Sequence, residues 1–297
     1  MSGFSACALA AKPKQRGELH FTEVLPEAPP LAVIGVRGCD LAALHLHDQH
    51  FAYGPYADAA FNRRRRALFI VAVDCAAPAA TCFCASTGDG PDATSGFDIG
   101  LTELDDGFIV NARSDAGRTV VQTLSLVPVT DAQAMQALAE RQAAVDAQRR
   151  SLPTSVPGRN LQAALFAQLD HPRWQEVAQR CLSCGNCTSV CPTCFCHGEH
   201  DVATLDGRQA EHVRQWDSCF SEGHSYIHGW VIRGSTQLRY RQWLTHKLGS
   251  WHAQYGRSGC TGCGRCIAWC PAGIDITEEA AAIVGSVGNS GGSDARP

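Results

Sequence analysis

Two short segments constrain this chain more than anything else in it. Residues 181–192, CLSCGNCTSVCP, and residues 260–271, CTGCGRCIAWCP, place four cysteines and a proline at one spacing, C-x2-C-x2-C-x3-C-P. Spacers of two residues bring three thiols to the inside of one tight loop. The fourth cysteine points away, and the proline turns the chain behind it. Gly185, Gly262 and Gly264 let the backbone approach whatever the thiols hold and offer it N–H donors. Four cysteines within eleven residues is not how a zinc site is built, since zinc draws on two separated pairs.

The chain has 16 cysteines in 297 residues, so disulfides and metal ligands are the two readings to weigh. No basic start followed by an apolar core opens the sequence, and the longest apolar run, ALFIVAV at 67–73, is far too short to span a bilayer. A cytoplasmic location is expected, where thiols stay reduced and clustered cysteines serve as metal ligands. A composition of 45% hydrophobic and 18% charged residues is that of a globular protein, and a net charge of -4 argues against a nucleic-acid binder.

The doubled spacing is that of bacterial ferredoxins, in which the fourth cysteine of each run ligates the other run's cluster. Two [4Fe-4S] clusters are therefore expected. Cys181, Cys184, Cys187 and Cys270 would hold one; Cys260, Cys263, Cys266 and Cys191 would hold the second, with residues 192–259 as an insertion.

The expected fold class is α+β: an N-terminal α/β domain over 1–150, a mainly helical dicluster domain over 151–284, and a disordered tail at 285–297. LAVIGV (31–36) reads as a buried strand, CDLAALHLHDQHF (39–51) as a helix, and ALFIVAV as the next strand. Residues 97–104 and 107–113 read as strands joined by the turn DDG, residues 131–149 as a helix capped by Thr130 or Asp131, and 160–180 as helices. SLPTSVPG (151–158) reads as a linker. If the first two strands are parallel, Cys39 and Cys75 emerge at the same carboxyl edge, where open α/β sheets bind ligands. Cys82 and Cys84 follow in the adjoining loop. These four thiols suit a third cluster; four small buried apolar side chains are the alternative.

Cys7, Cys194, Cys196 and Cys219 remain. Cys7 reads as incidental. The other three are expected beside a cluster, packing against it and donating weak S–H bonds, with a further metal site or a redox-active thiol pair as alternatives. TCFC thus occurs twice, at 81–84 and 193–196, and the two copies are expected to differ: the first supplies ligands, the second lines a cluster pocket. RRRR (63–66) reads as a solvated face, the histidines at 197, 200, 212, 224 and 228 as polar packing, and the six tryptophans as shields for the clusters or as ordinary core. GDGP (88–91) lacks the features of a phosphate loop, and no Ser-His-Asp order or carboxylate pair stands out.

GVRGCDLAAL (35–44), VDCAAPAATCFC (73–84), GFDIGLTEL (96–104), CLSCGNCTSVCPTCFC (181–196), WDSC (216–219) and CTGCGRCIAWCP together resemble the iron–sulfur beta subunit of soluble sulfhydrogenases, a family similar also to the iron–sulfur subunit of anaerobic sulfite reductase. The resemblance covers about residues 31–276. Family members usually carry a longer region ahead of GVR, so a start that is either truncated or wrongly assigned is expected here, and many have proline where Gly38 stands. The resemblance implies an electron carrier working between a flavin subunit that handles a nicotinamide cofactor and a catalytic partner. That partner is a nickel–iron hydrogenase module in sulfhydrogenase, or a sulfite or sulfur reductase subunit. It also implies that the chain is not catalytic alone. A rival reading places catalysis on Cys194, Cys196 and Cys219, reducing a sulfur compound.

Overall fold

The computed structural model describes residues 6–15, 18–153, 160–206 and 208–285. Two strands without a sequence signature begin it: β1 (Ala6–Gln15) and β2 (Glu18–Glu23), paired antiparallel. Then come β3 (Leu31–Val36), α1 (Gly38–His47), α2 (Ala59–Arg66) and β4 (Leu68–Val73), the expected strand, helix, strand order. A π-helical turn, Asp48–Ala52, extends α1. Asp58 caps α2 by accepting the Phe61 N–H at 2.7 Å.

A single turn, α3 (Cys84–Thr87), precedes β5 (Ile99–Leu104) and β6 (Gly107–Ala112), a hairpin around Asp105 and Asp106. The sheet runs β3-β4-β5-β6, with the first three strands parallel and the last antiparallel. Leu41 of α1 packs with Ile70, Ala72 and Phe97 in a small core. β3 departs from expectation. It is the edge strand, and Leu31 and Ile34 stay 56% and 74% exposed, so its apolar run is not buried. α4 (Asp115–Val121) follows, then α5 (Asp131–Asp146), where Thr130 and Gln133 exchange hydrogen bonds in a capping box.

The C-terminal half is built from α6 (Gln162–Phe166), α7 (Arg173–Arg180), the short α8 (Asn186–Ser189), strands β7 (His197–Ala203) and β8 (Ala210–Trp216), the two-residue strands β9 (Tyr226–Ile227) and β10 (Trp230–Val231), α9 (Thr236–Thr245), α10 (Trp251–Tyr255), the short α11 (Arg265–Ala268) and α12 (Ile276–Gly285). Trp174 and Val177 stand one turn apart on α7 and are both fully buried. They meet Tyr240, Trp243 and Leu244 of α9 and Ile276, Ala280 and Ile283 of α12 in the main core. Glu279, 1% exposed in that interface, accepts from Arg173 at 2.6 Å and Arg180 at 2.7 Å, so the buried carboxylate is neutralised.

The chain on either side of residues 151–158 is tied together in several places. β1 pairs with β8, giving a four-stranded antiparallel sheet in the order β2-β1-β8-β7. Ion pairs join Asp58 to Arg214, Asp89 to Arg257, Asp40 to Arg265 and Arg150 to Asp275. Phe83 of the first TCFC is fully buried in the main core. The expected linker lies partly, and the expected disordered tail almost wholly, outside the described residues. No described helix is long and apolar enough to cross a membrane.

Candidate metal centres

The two cysteine runs adopt one backbone. In each C-x2-C segment the residue before the second cysteine is left-handed: Ser183 at φ 51° and Gly262 at φ 64°. Each run then has a left-handed glycine, Gly185 at φ 75° or Gly264 at φ 68°, followed by a four-residue helix that carries the third cysteine, α8 or α11. This winding turns backbone N–H groups onto the sulfurs. Gly262 N–H donates to Cys260 Sγ at 3.4 Å, Ile274 N–H to Cys270 Sγ at 3.3 Å, and Ser183 N–H to Cys181 Sγ.

Cys181, Cys184, Cys187 and Cys270 line one cavity, with Phe220, Tyr240, Trp243 and Ile274 among its apolar walls. Cys191, Cys260, Cys263 and Cys266 line a second, closed by Phe83, Trp243 and Ile276. A third, of about 160 Å³, is lined by Cys39, Cys75, Cys82 and Cys84. β3 and β4 are parallel, and Cys39, in the first turn of α1, and Cys75, two residues past β4, both lie at the carboxyl edge of that pair. The Gln148 side chain accepts the Ala85 N–H at 3.0 Å and donates to Cys84 Sγ at 3.4 Å, fixing the loop that carries Cys82 and Cys84.

The cavities form a row. Cys263 lines both the third and the second, and Cys266 lines both the second and the first. Gly262 and Gly264 make the first of these junctions possible. A Cβ on Gly262 would sit 2.5 Å from backbone atoms of Phe83 and Cys84, and one on Gly264 would sit 2.1 Å from the Thr81 carbonyl oxygen.

These surroundings suit a sulfide-bearing iron centre. Among the described residues no three His, Cys, Asp or Glu side chains close on a point the size of a single ion; the thiols surround space instead. Tyr240 Oη, Trp243 Nε1 and Thr261 Oγ1 are buried donors without a partner among the described residues, and all three belong to residues lining the first or second cavity. A sulfur-rich acceptor there would satisfy them. Burial pushes Cys260 up to about 12 and Cys84 up to about 11, and raises Cys39, Cys187 and Cys266 too. Loading iron onto such thiols releases their protons.

Sequence reasoning missed Lys247. Its side chain is buried, and its ammonium donates to Thr193 Oγ1 at 2.7 Å and to Cys191 and Cys194 Sγ, each at 3.3 Å. The thiol of Cys194 also donates to Cys191, and with Lys247 it holds Cys191 well below the ordinary thiol range. Burial pulls Lys247 down, but the sulfurs around it raise it further, so it keeps its proton.

Cys194, Cys196 and Cys219 do not converge on one point. Cys194 joins Cys191 and Lys247 beside the second cavity. Cys196 and Cys219 form a separate pair. The Cys219 thiol donates to Cys196 Sγ and brings Cys196 down to about 6, against the effect of burial. Phe195, between the two thiols of the second TCFC, stacks on His50 at 4.4 Å and meets Phe51 and Trp251. Of the tryptophans, Trp243 walls two cavities and Trp174 and Trp251 are buried, whereas Trp216, Trp230 and Trp269 are exposed and line none of the three cavities. Arg63, Arg64 and Arg66 are exposed on α2, and Arg65 is paired with Asp48. His212 bonds Asp201 at 2.8 Å on the β7–β8 face, and His224 bonds Asp217 at 2.8 Å.

Two copies of one cysteine loop, facing adjoining apolar cavities and exchanging their fourth thiols, define a ferredoxin-type dicluster protein. Family models described as 4Fe-4S dicluster domain match residues 180–274 and 143–195, so the chain is an iron–sulfur protein of the [4Fe-4S] type. It is 33% identical over 248 residues to Sulfhydrogenase 2 subunit beta of Pyrococcus furiosus, an alignment covering 82% of this chain and 71% of that protein. The chain belongs to the sulfhydrogenase beta-subunit family. No solved structure matches it significantly.

Proposed function

We propose that this chain is the electron-relay subunit of a multi-subunit oxidoreductase, passing single electrons between a flavin subunit that handles a nicotinamide cofactor and a catalytic subunit of the nickel–iron sulfhydrogenase type. The observation that carries the reading is the unbroken row of three thiol-lined cavities, each sharing a cysteine wall with the next. In this reading Cys181, Cys184, Cys187 and Cys270 hold the first [4Fe-4S] cluster. Cys191, Cys260, Cys263 and Cys266 hold the second, and Cys39, Cys75, Cys82 and Cys84 a third. When bound, each cluster takes up and gives back one electron.

The chain's own residues do the rest. Phe83, Phe220, Tyr240 and Trp243 give the first two cavities apolar walls. Backbone N–H groups stabilise the thiolates, and Lys247 holds a positive charge against Cys191. Anaerobically purified full chain is expected to contain about twelve irons and about twelve sulfides, and Cys75→Ser about eight of each. A wild type with about eight irons removes the third cluster. A colourless preparation holding zinc and no sulfide overturns the relay.

A further inference from the structure

Cys196 and Cys219 are placed as a pair by the β7–β8 hairpin. Cys196 immediately precedes β7, and Cys219 lies three residues past β8. The ladder ends with His197 opposite Trp216, and Asp217 N–H reaches back to the Cys196 carbonyl at 3.0 Å. The chain then turns, so that Cys196 Sγ accepts from both the thiol and the backbone N–H of Cys219. Both residues are partly exposed. Asp217 holds His224 beside the pair through its 2.8 Å bond to Nδ1. Cys219 and Cys187 both pack against the main core, and Phe220, next in the chain after Cys219, lines the first cavity. None of the three cavities is lined by either residue.

We infer that Cys196 and Cys219 form a dithiol site that exchanges with low-molecular-weight disulfides. Cys196 Sγ, as the thiolate, attacks one sulfur of the small disulfide. A mixed disulfide forms on Cys196, and the other half leaves as a thiolate that takes up the proton given by Cys196. Cys219, giving up its proton, then attacks Cys196 Sγ and expels the second half, which that proton neutralises. One small disulfide has become two thiols, and two protein thiols have become one disulfide. Resetting the pair consumes two electrons and two protons. A cluster held by Cys181, Cys184, Cys187 and Cys270 would supply those electrons one at a time, and this clause alone rests on the relay reading.

The test treats full-length, cluster-loaded protein anaerobically with 2-hydroxyethyl disulfide, followed by alkylation and peptide mass spectrometry. The wild type is expected to form one internal disulfide between the peptides containing Cys196 and Cys219, releasing about two thiols per chain. Cys219→Ser is expected to stop at a mixed disulfide on Cys196, and Cys196→Ser to give neither product, all with unchanged iron. A bridge or adduct only at other cysteines overturns the inference. So does a loss of about four irons in Cys196→Ser, which would make Cys196 a cluster ligand. Wild-type exchange in protein that carries no iron would sink the relay and leave the dithiol site standing.

Discussion

Lys12, Lys14 and Lys247 are the only lysines in a chain that otherwise uses arginine. The exception at 247 has a physical reason. Three donors on a compact ammonium match three acceptors, Cys191, Cys194 and Thr193. Trp251 lies 5.3 Å away and adds its ring face. A fixed cation favours the reduced, more negative state of a cluster held by Cys191. A unit charge about 8 Å from the added electron, at an effective dielectric of about 20, is worth roughly 2 kcal/mol, or on the order of 90 mV for one electron. Lys247→Met is therefore expected to lower the midpoint potential of one cluster by about that amount and to leave iron content unchanged. Redox titration followed by electron paramagnetic resonance reads this directly, and potentials that all stay unshifted would remove Lys247 from the surroundings of a cluster held by Cys191.

One of the elements that bind the two halves is the start of α11. Gly264 is left-handed at φ 68°, and its missing Cβ leaves room for the Thr81 backbone. Gly256, left-handed at φ 70°, has nothing within 4 Å. The two glycines separate backbone strain from close approach. Gly256→Ala is expected to cost about 1 kcal/mol in stability and to keep all its iron. Gly264→Ala carries the same strain and also drives the loop bearing Cys82 and Cys84 away, so iron is expected to fall from about twelve to about eight per chain. Equal iron in both variants would show that the loop does not depend on this contact. The loop geometry of the cysteine runs is legible in the sequence because it is written within twelve residues: spacing, left-handed glycines and a closing proline. The order of β3, α1 and β4, with Cys39 and Cys75 just past the strands, is legible from apolar runs alone. The contact of Gly264 with Thr81 has no local signature, because it joins residues far apart in the chain. Nor has the pairing of β1 with β8, since the segment ACALAAKPKQ shows no alternation of apolar and polar residues and β7 reads as HGEHDVA. Lys247 is one of several charges in a polar helical run that also carries Arg239 and Arg241, and it becomes meaningful only when α9 and the turn that continues it, His246–Ser250, are folded onto Cys191.

At the scale of the whole molecule the three cavities are ordered, and the order has consequences that no single site has. The second lies between the other two, meeting the third across Cys263 and the first across Cys266, so the end cavities share no cysteine. The core follows the same plan. Phe83 from the N-terminal half and Trp243 from the C-terminal half both wall the middle cavity, so both halves contribute to burying it. Unpaired spins on neighbouring reduced clusters couple magnetically, and the coupling weakens steeply with distance, so removing different members of a row leaves different patterns. Fully reduced wild type is expected to show the broadened, interaction-split resonance of coupled clusters. Cys75→Ser, lacking an end, should keep one coupled pair. So should Cys181→Ser, lacking the other end. Cys260→Ser, lacking the middle, should leave two isolated signals with the same iron count as either end variant. An isolated pair of signals from an end variant, or persistent splitting in Cys260→Ser, would mean that the clusters are not strung in this order. Electrons would then have no reason to take the path through Cys263 and Cys266.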